Sequence, residues 1–344
     1  MAHSGFHVEA VNGKIPTLEK GYNAMKEIRI NDIKGFRIGH AQNTEKATGC
    51  TAIICEQGAT AGVDVRGGAP ASRETELIKP VNAVDQIHCV MLSGGSAFGL
   101  EAGDGAMKYL EEKGVGFDVG VGRVPIVCGA SIFDLELVDF NTRPDKAMGY
   151  EACKNSELND PKEGNVGAGT GATVGKLHNM DDYMKSGLGI YAAELGALKV
   201  GAVVSVNALG DVIDYDTKQI IAGLLTKDKK GFADTVKTMY EDISSTRDLW
   251  SGNTTICCVI TNAKLTKPQC NKLASIAHNG YAQTIRPVHT MVDGDTVFVM
   301  SSGEVEVDVN ALGAFVTECV GRAINRAVRT AEPAYGLLSA QSFA

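Results

Sequence analysis

Short runs that are apolar at nearly every position alternate along this chain with longer stretches whose apolar residues recur every three or four positions. The runs 51–55 (TAIIC), 87–92 (IHCVML), 200–207 (VGAVVSVN), 254–261 (TTICCVIT) and 296–300 (TVFVM) read as β-strands. Unbroken rather than alternating apolarity suits strands covered on both faces. Three helices are predicted. One starts after Gly95, near Ser96 as its N-cap, and ends by Gly114. A second opens at Thr266, where Thr266-Lys267-Pro268-Gln269 forms a capping box with proline in the first turn. Its apolar positions Leu273, Ile276, Ala277 and Ile285 fall at helical spacing. The third covers about 309–328, with Leu312, Phe315, Cys319, Ala323 and Ala327 along one side. Residues 140–165 read as a long surface loop. Residues 1–35 are weakly patterned and read as an arm, with a single body from Phe36 to the C-terminus. Covered strands plus several helices imply a layered α/β fold, whose topology periodicity cannot supply.

Composition narrows the function. The chain has 344 residues, 44% hydrophobic and 22% charged, which is globular rather than disordered. With 33 basic against 41 acidic residues the net charge is −8, which disfavours a nucleic-acid binder. Of nine cysteines, Cys50, Cys55, Cys89, Cys257, Cys258 and Cys319 lie in apolar runs, and no Cys/His cluster has zinc spacing. No metal is expected. The N-terminus has no signal-peptide core and no apolar run approaches 18 residues, so a cytoplasmic protein with no membrane partner is expected.

The loudest local signal is the glycine-rich segment 164–176 (GNVGAGTGATVGK). It is not a Walker loop: Thr170 stands where that motif needs glycine, and Leu177 follows the lysine. Its looser dinucleotide pattern, Gly167, Gly169 and Ala172, has no strand directly before it. A turn allowing close backbone packing and a catalytic loop presenting Lys176 both remain open. Gly95-Ser96-Ala97-Phe98-Gly99 lacks the order of a serine-hydrolase elbow. The seven histidines are scattered, each expected to be structural; His289 alone lies near other candidate polar groups.

At Ser251-Gly252-Asn253-Thr254 a turn feeds straight into an apolar strand. By itself this is a loop-to-strand junction. Its chemistry is more specific. A threonine hydroxyl is a poor nucleophile without a base, and the α-amine of an N-terminal threonine is such a base. An internal threonine reaches that state by attacking the carbonyl before it, and hydrolysis of the resulting ester frees the amine.

Six ordered blocks then carry a resemblance: 62–78 (GVDVRGGAPASRETELI), 91–100 (MLSGGSAFGL), 164–176, 203–212 (VVSVNALGDV), 252–267 (GNTTICCVITNAKLTK) and 284–298 (TIRPVHTMVDGDTVF). Together they resemble the family of the D-aminopeptidase/esterase DmpA, the β-peptidyl aminopeptidases and the nylon-oligomer hydrolase NylC, over about nine-tenths of the chain. The resemblance implies a four-layer α-β-β-α sandwich of the N-terminal-nucleophile type. It also implies self-cleavage between Asn253 and Thr254, giving fragments 1–253 and 254–344, with Thr254 as nucleophile. Threonine after asparagine resembles the nylon-oligomer branch.

Other roles follow from the same resemblance. Lys176 would hold positive charge beside the hydroxyl, and Asn207 would donate to the oxyanion. Asp293 and Asp295 would orient the threonine and its amine, although Asp-Gly alone reads as a hairpin turn. No cofactor is implied; the substrate would be a small peptide or amide, and the assembly a homo-oligomer, a tetramer. One departure stands out. Segment 124–137 (VPIVCGASIFDLEL) has Ala130 and Ser131 where the aminopeptidases carry an early acid for the substrate amine, with Asp134 as a possible substitute. That leans toward an endo-acting amidase resembling 6-aminohexanoate-oligomer hydrolases. The alternatives are an aminopeptidase for D- or β-amino-acid peptides, an acyltransferase of related architecture, or a non-catalytic glycine-rich binding protein.

Overall fold

The computed structural model describes residues 25–243 and 252–343; most of the expected arm and Ser251 lie outside them. Its main strands are β1 (Arg37–Asn43), β2 (Thr48–Val65), β3 (Gln86–Ser93), β4 (Val127–Ser131), β5 (Leu188–Leu195), β6 (Leu198–Asn207), β7 (Thr254–Ala263) and β8 (Thr296–Val305). The main helices are α1 (Ala102–Glu112), α2 (Lys146–Asn155), α3 (Lys267–Thr284) and α4 (Val309–Arg329). All five predicted strands and all three predicted helices are present.

Hydrogen bonding runs in the order β5-β6-β7-β8-β2-β3-β4, with β1 on the other edge of β2. The 18-residue β2 belongs to two sheets. Its second half, Thr60–Val65, pairs with β8, and its first half, Thr48–Ile54, pairs with β1. Between Ile54 and Ala59 its ladder with β3 loses register, and Gly58 there adopts φ +83°, a conformation that costs glycine little.

Three buried clusters define the layers. The two sheets face each other across Ile53, Val90, Leu92, Cys128, Val203, Ile256, Cys258, Ile260, Phe298 and Met300. Behind one sheet, Val204, Val206, Cys257, Val259, Val297 and Val299 pack on α3 and α4. Behind the other, Cys50, Ala52, Ile54, Cys89 and Met91 pack on α1 and α2. Successive residues of β7 therefore go to opposite cores, which is why this strand is apolar throughout. The architecture is a four-layer α-β-β-α sandwich. All nine cysteines are free and buried, packed as small hydrophobes.

Three expectations change. Residues 146–155 of the expected loop form α2, capped by the Asp145 carboxylate accepting from the Met148 amide at 2.8 Å. Its buried residues are only Gly149, Ala152 and Cys153, too small to write a clear hydrophobic stripe. The helical segment after Gly95 begins as a 3-10 turn, Ser96–Glu101, with Gly95 rather than Ser96 at the cap. Residues 25–35, the described end of the arm, pack on the body: Lys26–Glu27 pair with β5, and Ile30 and Ile33 are buried in the inter-sheet core. No helix among the described residues is long and apolar enough to cross a membrane.

Candidate active site

Strand direction gathers the site. β7 runs parallel to β8 and antiparallel to β6, so the start of β7, the approach to β8 and the end of β6 share one end of the sheet. Register places Asn207 directly opposite Thr254. On the other side, Asn253 bridges Asp293. Thr254, Asn253, Asn207, Asp293, Asp295 and Lys176 thus come from four separated segments, and each is at most 4% exposed.

Lys176 arrives through the glycine-rich segment. Its amide donates to the Leu209 carbonyl at 2.9 Å and that of Gly175 to the Gly210 carbonyl at 3.3 Å, tying the segment to the chain just beyond β6. Close packing explains its glycines: a Cβ on Gly169 would stand 2.1 Å from the Leu188 amide nitrogen. The segment is therefore both a packing element and the carrier of Lys176. Beneath it, the buried Lys185 ammonium donates to the carbonyls of Gly169 and Ala172 at 3.0 and 3.1 Å and to that of Ser186.

The scissile-bond candidate sits among donors. The Thr254 hydroxyl donates to the Asn253 carbonyl oxygen, which also accepts the Gly294 amide at 2.9 Å. The Asn253 amide in turn donates to the Val292 carbonyl at 3.2 Å. One residue earlier, the Gly252 carbonyl accepts from Lys176 Nζ at 2.8 Å. Gly294 has no side-chain room, since a Cβ there would lie 2.8 Å from Thr254 Oγ1. Sequence reading singled out both aspartates of Asp293-Gly294-Asp295 but not the amide between them, because a backbone donor leaves no residue-type signal.

Each carboxylate has its own set of donors. Asp295 accepts the Thr255 amide at 2.8 Å on one oxygen, and the His289 amide (2.9 Å) and ring Nδ1 (2.8 Å) on the other. Asp293 accepts the Leu209 amide at 3.4 Å on one oxygen, and the Thr290 amide (3.2 Å) and hydroxyl on the other. Burial, then the charge of Asp295, raises the Asp293 pKa to about 6. Lys176 shifts the other way: burial lowers it to about 8 against the opposing pull of Glu136, Asp293 and Asp134.

Asn207 is placed beside Thr254 but is already engaged. One hydrogen of its amide goes to the Phe133 carbonyl at 2.9 Å, and its oxygen accepts the Thr173 amide at 3.0 Å. Asp134, the candidate partner for a substrate amine, is committed as well. It accepts from the Thr48 hydroxyl at 2.8 Å and the Gly95 amide at 2.7 Å, and burial raises it to about 6. Among the described residues, no group of three His, Cys, Asp or Glu side chains could hold a metal ion.

Peptidase family S58 matches this chain over residues 29–341. The chain belongs to peptidase family S58. An uncharacterized aminopeptidase of Mycobacterium tuberculosis is 38% identical over 343 residues, covering 90% of this chain and 95% of that protein. A 6-aminohexanoate-oligomer endohydrolase of Agromyces sp. is 30% identical over 322 residues, covering 87% of this chain and 85% of its own. Solved folds agree. The L-aminopeptidase D-Ala-esterase/amidase of Ochrobactrum anthropi, a variant of the Ntn-hydrolase fold, superposes with a TM-score of 0.65 at 18% identity. That match covers 93% of this chain and 91% of the other. A Burkholderia sp. β-aminopeptidase gives 0.62 at 20% identity, covering 87% and 86%. This S58 member is accordingly an amide-bond hydrolase with an N-terminal-nucleophile type of fold.

Proposed function

We propose that the protein cleaves itself between Asn253 and Thr254 and then hydrolyses amides with the Thr254 hydroxyl. One observation carries the reading: Thr254 Oγ1 contacts the carbonyl of its own preceding residue, and the Gly294 amide polarises that same carbonyl. Attack of the oxygen on the Asn253 carbon gives a tetrahedral intermediate whose negative oxygen meets the Gly294 N–H. Breaking the C–N bond transfers the acyl group to oxygen and leaves a free amine on Thr254. Water then hydrolyses the ester, leaving a carboxylate on Asn253 and restoring the hydroxyl.

The second cycle repeats this on a substrate. The new amine accepts the hydroxyl proton as Oγ1 attacks, and the departing amine of the substrate takes that proton up. Lys176 supplies positive charge, Asn207 offers its remaining amide hydrogen to the oxyanion, and Asp293 and Asp295 orient the threonine and its amine. Water releases the acyl group. The substrate class is a short linear amide, of the kind named for the 6-aminohexanoate-oligomer endohydrolase. Burial of Asp134, with both its oxygens engaged, argues against capture of a free substrate amine at that residue. A second reading, an aminopeptidase with the same machinery, is favoured by the name of the 38% identical relative. N-acetylated oligomers separate the two, because only the endo-acting enzyme cuts them.

The central test is Thr254→Ala. Intact-mass measurement is expected to find a single full-length chain with no amidase activity, while the native protein yields pieces of 253 and 91 residues (344 − 253 = 91). Efficient cleavage in the alanine variant contradicts the nucleophile.

A further inference from the structure

We propose that His289 is a positioning residue that aims Asp295 at the nucleophile strand, which extends the reading of Asp295 as part of the amide-cleaving site. Asp295 is fully buried, and a buried carboxylate keeps a fixed direction only when donors hold both oxygens. Its one oxygen holds the Thr255 amide, next to the nucleophile. The other receives two donors from a single residue, the amide and ring of His289. His289 makes that double contact from an unusual backbone, φ +58°, in the left-handed region that disfavours side chains carrying a Cβ.

The carboxylate also orients the ring. An acceptor at Nδ1 means that this nitrogen carries a proton. Nε2 is buried and finds no hydrogen-bond partner among the described residues. The ring is held by neighbours instead, 4.7 Å from the His278 ring and stacked at 5.9 Å on Tyr281. Tyr281 is itself part of the clamp, because its hydroxyl lies 3.2 Å from the Thr255 carbonyl and 3.2 Å from that of Thr296. The residue after the nucleophile is thus held at its N–H by Asp295 and at its C=O by Tyr281, with His289 bracing both. Thr290 does the corresponding work one position on, giving its amide and hydroxyl to Asp293.

A ring that merely fills space predicts different mutants from one that aims a carboxylate. His289→Asn keeps a donor near the place of Nδ1; His289→Phe keeps the ring and loses the donor; His289→Gln carries its donor one bond too far. His289→Phe and His289→Gln are expected to slow self-cleavage and to lower kcat roughly 10–100-fold with KM within about twofold, as for a mispositioned reacting group. His289→Asn is expected to recover most of that loss. In an Asp295→Asn background, itself expected to be slower by orders of magnitude but folded, His289→Phe is expected to add little, since its target is gone. If His289→Phe fails to fold, the comparison of Asn with Gln decides. Native rates in Phe or Gln, equal impairment in Asn, or full additivity with Asp295→Asn each overturn the proposal. Those results leave the Thr254 reading standing, which the Thr254→Ala experiment tests separately.

Discussion

Lys176 and Asp293 lie inside the protein with their ionisation displaced in opposite directions, to about 8 and about 6. Burial is the larger cause for each, since it disfavours whichever form carries charge. Only between these values do both groups carry charge, and each feels the other. Self-cleavage of freshly made precursor is therefore expected to follow a bell, with an acid limb near pH 6 and an alkaline limb near pH 8. The precursor is the right species to measure: its Thr254 nitrogen is still an amide and cannot contribute a limb. Lys176→Met is expected to abolish the alkaline limb as well as slowing the reaction, and a limb that survives at the same pH assigns it elsewhere. The sign for stability follows from the same shifts. The raised Asp293 contributes stability present below its ordinary value near 3.8 and lost as pH rises through about 6. The lowered Lys176 binds fewer protons folded than unfolded between about 8 and 10.5, so stability rises with pH across that window.

Among the elements, α3 shows how far local chemistry reaches. Thr266 accepts the Gln269 amide at 3.4 Å while the Gln269 side chain accepts the Thr266 amide at 2.8 Å, the reciprocal cap that the four residues spell out. Thr266→Ala is expected to cost about 1 kcal/mol in a denaturant melt and to leave kcat unchanged. A loss of turnover there would mean that the helix start communicates with the site at the other end of the sheet. α2 is the opposite case. Gly149 lets it approach so closely that a Cβ there would meet the Ala102 carbonyl oxygen at 1.9 Å. Contacts of that kind depend on a neighbour more than forty positions away, so nothing in 146–155 announces them.

At the scale of the molecule, the two pieces that the proposed cleavage would give are woven together. Fragment 254–344 supplies β7, β8, α3 and α4, and its paired strands sit between β6 and β2 of the first fragment. Both cores on the faces of β7 contain residues from either side of the cut. Breaking one peptide bond leaves all these contacts in place. Gel filtration of processed protein is expected to show both pieces in one peak, separating only in denaturant; a free 91-residue species under native conditions would contradict the interleaving.

What could be read without coordinates was whatever is written locally. Strands buried on both faces are apolar at every step, a capping box needs only four consecutive residues, and Thr254 follows a turn into such a strand. The ordered blocks added candidate residues, Lys176, Asn207, Asp293 and Asp295, without saying how they meet. Their meeting is a property of strand direction and register: β7 parallel to β8 and antiparallel to β6 brings four distant segments to one end of a sheet. Backbone groups such as the Gly294 amide, and the reason for a histidine at φ +58°, belong to that same level. They depend on where the chain has gone, and residue type does not record it.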